Sequence, residues 1–185
     1  MSSLTLSPTR SAALWRGLGL ALCGAALITL GAKVQVPFWP VPMTLHTLAV
    51  FVLAATLGPR LGTAAVATYL AAGAVGLPVF SGTPERGIGL AYMVGPTGGY
   101  LLGYLLSAPV TGRLARGRDW AGQALAMLAG LAVVYALGLL WLTRFVPPSG
   151  LIAAGFTPFL LGDLIKLAIA SGLAAGLHRL GERAQ

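Results

Sequence analysis

Long apolar runs separated by short breaks dominate the chain. They fall at about 12–32, 44–58, 61–77, 100–110, 120–145 and 158–177. The breaks carry helix-stopping chemistry. Lys33–Pro42 holds three prolines within six residues, which cannot continue a helix. Yet it is apolar and aromatic, so it predicts a folded loop dipping over the bundle. Pro59-Arg60 predicts a tight turn. Residues 78–99 form the longest irregular stretch, with six glycines and three prolines beside Phe80, Tyr92 and Met93. That aromatic content predicts a lid or pocket lining rather than a loose linker. A membrane-spanning helix needs about 20 residues. The pattern therefore predicts an all-α integral membrane bundle of six transmembrane helices in the lipid bilayer, with spans 2 and 3 short.

Composition supports this. Hydrophobic residues make up 57% of the 185 residues and charged residues 9%, against about 25% charged in an average soluble domain. The 26 glycines show no Gly-X-Y period and suit closely packed membrane helices. The net charge of +8 sits at the ends of apolar runs and reads as an orientation signal, not a nucleic-acid surface. Arg10, Arg16, Arg60, Arg113, Arg116, Arg118, Arg179 and Arg183, eight of the twelve basic residues, fall on one side of a six-span layout. The positive-inside rule then makes both termini cytoplasmic. The expected organisation is a cytoplasmic tail at 1–11, a membrane domain at 12–180 and a tail at 181–185, in a bacterial cytoplasmic membrane. The first apolar run is longer than a usual signal sequence and reads as a retained helix. Cys23 is the single cysteine, so neither an internal disulfide nor a zinc cluster is expected, and no metal or cofactor.

Asp163 and Lys166 change the picture from scaffold to site. They form the acid–base pair placed inside an apolar run, and their three-residue spacing puts both on one helix face. Ionisable groups in lipid are costly and point to function. Topology sets Asp163 roughly 8 Å below the outer end of the last span, under the Pro-rich and Gly-rich loops. A structural bridge is the plain alternative. Beyond it, Asp163 accepts and Lys166 donates, which suits a neutral ligand with adjacent N–H and C=O groups, such as a cyclic urea or amide. Lys166, Lys33 and Arg86 are alternative holders of a carboxylate. Phe38, Trp39, Phe80 and Tyr92 supply aromatic walls. Catalysis is poorly supported. His46 with Ser81 or Ser107 is the available nucleophile set, without Gly-x-Ser-x-Gly. No P-loop is present, so ATP drive must come from a partner. A purely structural membrane subunit is a further alternative.

Four motifs, in order, resemble the BioY family, the biotin-specific substrate (S) components of energy-coupling factor (ECF) transporters. They are Val-Pro-Phe-Trp-Pro-Val-Pro-Met-Thr (36–44), Gly-Leu-Pro-Val-Phe-Ser-Gly (76–82), Gly-Pro-Thr-Gly-Gly-Tyr-Leu (95–101) and Pro-Phe-Leu-Leu-Gly-Asp-Leu-Ile-Lys (158–166). The resemblance implies a non-enzymatic, high-affinity biotin-uptake protein, energised by an ECF transmembrane coupling subunit and ATPases. It implies a biotin site of Asp163, Lys166, Tyr92, Phe80, Ser81, Thr44, His46 and Gly98, with Tyr92 and the Gly-rich loop closing it. His46 stands where the family often has Gln. The small residues Ala21 and Ala25 resemble the face by which S components dock on the coupling subunit, with ordinary packing inside the bundle as the alternative. A homo-oligomer is compatible with the chain, and a substrate component for another small vitamin is the nearest alternative function.

Overall fold

The computed structural model describes residues 8–36, 40–81 and 87–183. It is built of helices with one small hairpin. Helix α1 (Pro8–Lys33) leads into strands β1 (Gln35–Val36) and β2 (Met43–Thr44). These pair antiparallel, Gln35 opposite Thr44 and Val36 opposite Met43. Then come α2 (His46–Ala74), the short α3 (Leu90–Met93), α4 (Gly98–Leu114) and α5 (Trp120–Leu142). A 3₁₀ turn (Pro148–Gly150), the short α6 (Leu151–Gly155) and α7 (Thr157–Arg183) complete the chain. The hairpin is an addition to the all-helical expectation. The first helix begins at Pro8 rather than near Ala12. Helix α4 starts at Gly98 and ends at Leu114, beyond the 100–110 expected at both ends.

Helix α2 reverses direction. Gly58 has φ 77° and ψ 179°, a conformation essentially confined to glycine. Pro59 follows; it lacks the N–H that a first helical residue leaves unpaired and suits that position. Residues 23 apart on a straight helix are separated by roughly 35 Å, but the rings of His46 and Tyr69 lie 5.0 Å apart. The arms 46–57 and 59–74 are therefore antiparallel, joined by the turn expected at Pro59-Arg60. Gly62 sits against the turn, where an added Cβ would lie 2.8 Å from the Ala54 Cα.

The core lies between α2, α4 and α5, with α1 packed on α2 and α7 closing against α2 and α5. Phe51, Tyr69, Met127 and Val134 are among its buried side chains. Asp119 caps α5 by accepting from the Gly122 N–H at 2.9 Å. Helices α4 and α5 meet so closely at Gly103 that a Cβ there would lie 2.8 Å from the Val134 Cα. Large apolar side chains cover the outside, including Trp15, Leu125, Leu140 and Leu161, each at least two-thirds exposed. Such a coat suits lipid rather than water. By length and composition, four stretches among the described residues can cross a membrane: Ser11–Lys33, His46–Ala74, Trp120–Leu142 and Pro148–Leu180. The second of these is the reversed α2, so its length is shared between two arms.

Lys33 at the end of α1, His46, Gly98 and Thr157 all lie at one end of the bundle. The Gly58 turn, the Arg113 end of α4 and the last turns of α7 lie at the other, where His178 Nε2 is 3.3 Å from Ala55 O. Helix α1 starts and α7 finishes at that second end.

Candidate functional site

Alpha7 places Asp163 and Lys166 one turn apart, both buried (6% and 8% exposed). Lys166 Nζ donates to Asp163 Oδ1 at 3.0 Å. The second carboxylate oxygen is also held: Tyr135 on α5 donates its hydroxyl to Asp163 Oδ2 at 2.6 Å. The carboxylate is thus fixed from two helices, while two of the three ammonium protons of Lys166 stay available. A buried pair of this kind seldom adds net stability, so its cost points to a task beyond packing.

The pair lines a cavity of about 50 Å³. The hairpin closes it with Val41, Pro42, Met43 and Thr44, and α2 adds His46 and Thr47. Thr97, Tyr100, Leu101 and Tyr104 come from α4 and the residue before it, Val134 and Tyr135 from α5, and Phe159 from α7. The α4 residues fall at helical spacing on one face. Tyr104 and Thr47 share a hydroxyl hydrogen bond of 2.8 Å. Tyr100 donates to Gly155 O at 2.7 Å, tying α4 to α6.

Of the residues singled out in the sequence, Asp163, Lys166, Thr44 and His46 meet in this cavity. Phe80, Ser81 and Tyr92 form a second layer beside it. Phe80 stacks on Tyr92 with centroids 4.9 Å apart and meets Tyr69 edge-on at 5.4 Å. Tyr69 in turn meets His46, whose ring lies 4.3 Å from that of Tyr104. An aromatic chain so runs from the cavity to the segment 78–81 and on to Tyr92. The Tyr92 hydroxyl bonds Ser81 through both its hydroxyl and its carbonyl oxygen. Lys33 Nζ donates to Phe80 O at 2.8 Å, anchoring the same segment to α1. His46 Nε2 and the Tyr69 hydroxyl are buried with no hydrogen-bond partner among the described residues. Gly98 stands just outside the lining. A Cβ there would meet Met93 O at 2.0 Å and Trp141 Nε1 at 3.1 Å, so its missing side chain lets α4 start against α5. Phe38, Trp39 and Arg86 lie outside the described residues.

Ala21 and Ala25 are buried (5% and 8% exposed) on the face of α1 that packs on α2. Between them Gly24 approaches Ala65, whose Cβ an added Cβ would meet at 2.6 Å. Leu14, Leu18, Leu22 and Leu30 form the exposed face of α1. The structure therefore gives Ala21 and Ala25 an internal packing role, and leaves leucines accessible to a partner.

Tyr135, Tyr100, Tyr104, Thr47 and Thr97 were not foreseen. One signal was present. Tyr100, Tyr104, Ser107 and Thr111 repeat at 4, 3 and 4 residues along an otherwise apolar helix, a polar stripe that predicts an inward-facing polar wall. Tyr135 offers no such signal, being a lone tyrosine amid apolar neighbours.

Comparison with known proteins bears on this site. A sequence profile of the BioY family matches residues 4–183. The biotin transporter BioY of Thermotoga maritima is 46% identical over 157 residues, covering 84% of this chain and 91% of that one. A probable biotin transporter BioY of Pyrococcus horikoshii is 38% identical, covering 83% and 90%. The biotin transporter BioY of Rhodobacter capsulatus is also 38% identical, covering 84% and 88%. In fold, the chain is similar to the crystal structure of an S component for biotin from an ECF-type ABC transporter. The TM-score is 0.76 at 24% identity over 95% of each chain. With its apolar helices and lipid-suited exterior, this multi-pass membrane protein belongs to the BioY family.

Proposed function

We propose that this chain captures biotin in the cavity around Asp163 and Lys166 and carries it across the bacterial cytoplasmic membrane. The observation that carries the reading is the buried carboxylate–ammonium pair, its carboxylate oriented by the Tyr135 hydroxyl. A cyclic urea presents two N–H donors and one C=O acceptor. Asp163 keeps lone pairs for the donors, and Lys166 keeps protons for the acceptor. His46 Nε2, without a hydrogen-bond partner among the described residues, supplies one more polar contact. The apolar tail lies along Val41, Leu101, Val134 and Phe159. Ligand sites usually measure about 300–1,000 Å³, so the present 50 Å³ must expand. Strand β2 is the element to move, since two residue pairs join it to β1. Tyr92, Phe80 and Ser81 then back the site as its second layer, and Gly98 sets the start of α4.

Six passes are part of the same reading. Each arm of α2 is shorter than a full span, the arginine-rich end is cytoplasmic, and the cavity opens to the outside. The sequence holds no P-loop, and in this reading an ECF coupling subunit and its ATPases energise reorientation of the loaded protein. The leucine face of α1 is the surface for that docking. Leu22→Glu is expected to abolish co-purification with the coupling subunit while biotin binding persists; unchanged co-purification would refute this surface. The functional reading is tested by displacing labelled biotin from the purified protein with a panel of vitamins. Biotin alone should compete at stoichiometric concentration. Equal displacement by an unrelated vitamin would overturn the assignment.

A further inference from the structure

At the end of the bundle opposite Asp163, the Gly58 turn and the end of α4 enclose an open cavity of about 880 Å³. Its charged lining is Arg60, Arg113 and Arg116, and Leu57, Leu61 and Pro109 form an apolar side. Among the described residues, no carboxylate lines it. Of the four acidic residues in the chain, Asp163 serves the other cavity and Asp119 caps α5. The ion pair found among the described residues is Lys166–Asp163. The three guanidinium groups therefore surround one space without a described counter-charge. Arg113 Nη1 donates to Pro109 O at 3.2 Å, which steers that guanidinium toward the apolar side and leaves its remaining N–H groups for a ligand.

The surface leading to this cavity matters as much as its charge. Leu102 and Leu106 on α4 are both 46% exposed. Pro109 and Arg113 follow at steps of three and four residues, so all four share one helix stripe. An apolar track thus runs along the lipid-facing side of α4 and ends at the arginines. A small soluble anion would use only the arginines. A phospholipid would use both parts: guanidinium forks grip phosphate oxygens well, and acyl chains lie along leucines.

We propose that this cavity binds the phosphodiester headgroup of an anionic phospholipid, with an acyl chain along Leu102 and Leu106. Basic pockets between membrane helices are suited to such headgroups. The test is native mass spectrometry of the purified full chain with equal amounts of phosphatidylglycerol and phosphatidylcholine. Wild type should retain phosphatidylglycerol over phosphatidylcholine on the order of tenfold. The Arg60→Gln/Arg113→Gln/Arg116→Gln variant should lose that preference, whereas Arg118→Gln, outside the cavity, should keep it. Helical circular dichroism and a single gel-filtration peak establish that the triple variant is folded. The Arg→Lys triple, which keeps the charge, should retain part of the preference and provides the test should the Gln variant not fold. Selectivity that survives in the Gln variant overturns the proposal. Displacement of the lipid by equimolar glycerol 3-phosphate would make this a free-anion site and overturn it too. Unselective lipid retention, with coupling-subunit assembly lost in the triple variant, would make it a protein-docking surface and equally refute the lipid.

Discussion

Replacing Tyr135 by Phe removes one atom from the site and little else. The hydroxyl donates to Asp163 Oδ2 at 2.6 Å, while the ring packs edge-on against Phe156 with centroids 4.8 Å apart. Phenylalanine keeps that ring contact. A hydrogen bond to a charged group contributes about 1.5–3 kcal/mol. Part of this cancels, because the bond exists before biotin arrives. What does not cancel is the orientation of the carboxylate, and the cost of an unpaired Oδ2 once ligand excludes water. The upper bound of about 3 kcal/mol corresponds to on the order of 100-fold in affinity, and we expect about tenfold. Tyr104→Phe is the matched control. It removes a neutral hydroxyl pair with Thr47, worth about 0.5–1.5 kcal/mol, so its effect should be smaller. Calorimetric titration with biotin reads both. If Tyr135→Phe binds within twofold of wild type, or Tyr104→Phe loses more than Tyr135→Phe, the carboxylate is not positioned as described.

Other outcomes follow from particular contacts. Gly58→Ala should destabilise the protein by about 1–3 kcal/mol. Nothing lies within 4 Å of the new Cβ, so a lower thermal midpoint would report backbone strain alone. Gly103→Leu should push α4 from α5 and lower the midpoint further, since the clash is with Val134 backbone; core overpacking costs about 1–3 kcal/mol. Lys33→Met should release the Phe80–Ser81 segment that Lys33 Nζ holds. Stopped-flow measurement should then show faster biotin dissociation, with an unchanged rate counting against an anchoring role.

How much of this was legible follows from the kind of signal each feature leaves. Asp163 and Lys166 stand out because charge inside an apolar run is conspicuous on any helix face. Thr44 and His46 reach the same cavity because the Pro-rich motif ends where α2 begins. Helix ends were less legible. Gly98-Gly99 reads as part of a loop from local propensity, yet α4 starts there because α5 packs against the glycines. The hairpin left no trace, since two-residue strands show no alternation. Tyr135 was invisible because a tyrosine in an apolar helix looks like core until α7 brings Asp163 opposite it. Ala21 and Ala25 show the converse. Small-residue spacing reveals a close-packing face, but not whether the partner is another protein or, as here, α2.

The central claim is that the Asp163–Lys166 pair binds the ring of biotin. Calorimetric titration of purified wild type and Asp163→Asn with biotin addresses it most directly. Asparagine keeps the shape but removes the charge and turns one acceptor into a donor. The account predicts saturable, one-to-one binding by wild type and a loss of on the order of 100-fold or more in Asp163→Asn. Indistinguishable isotherms from the two proteins would contradict it.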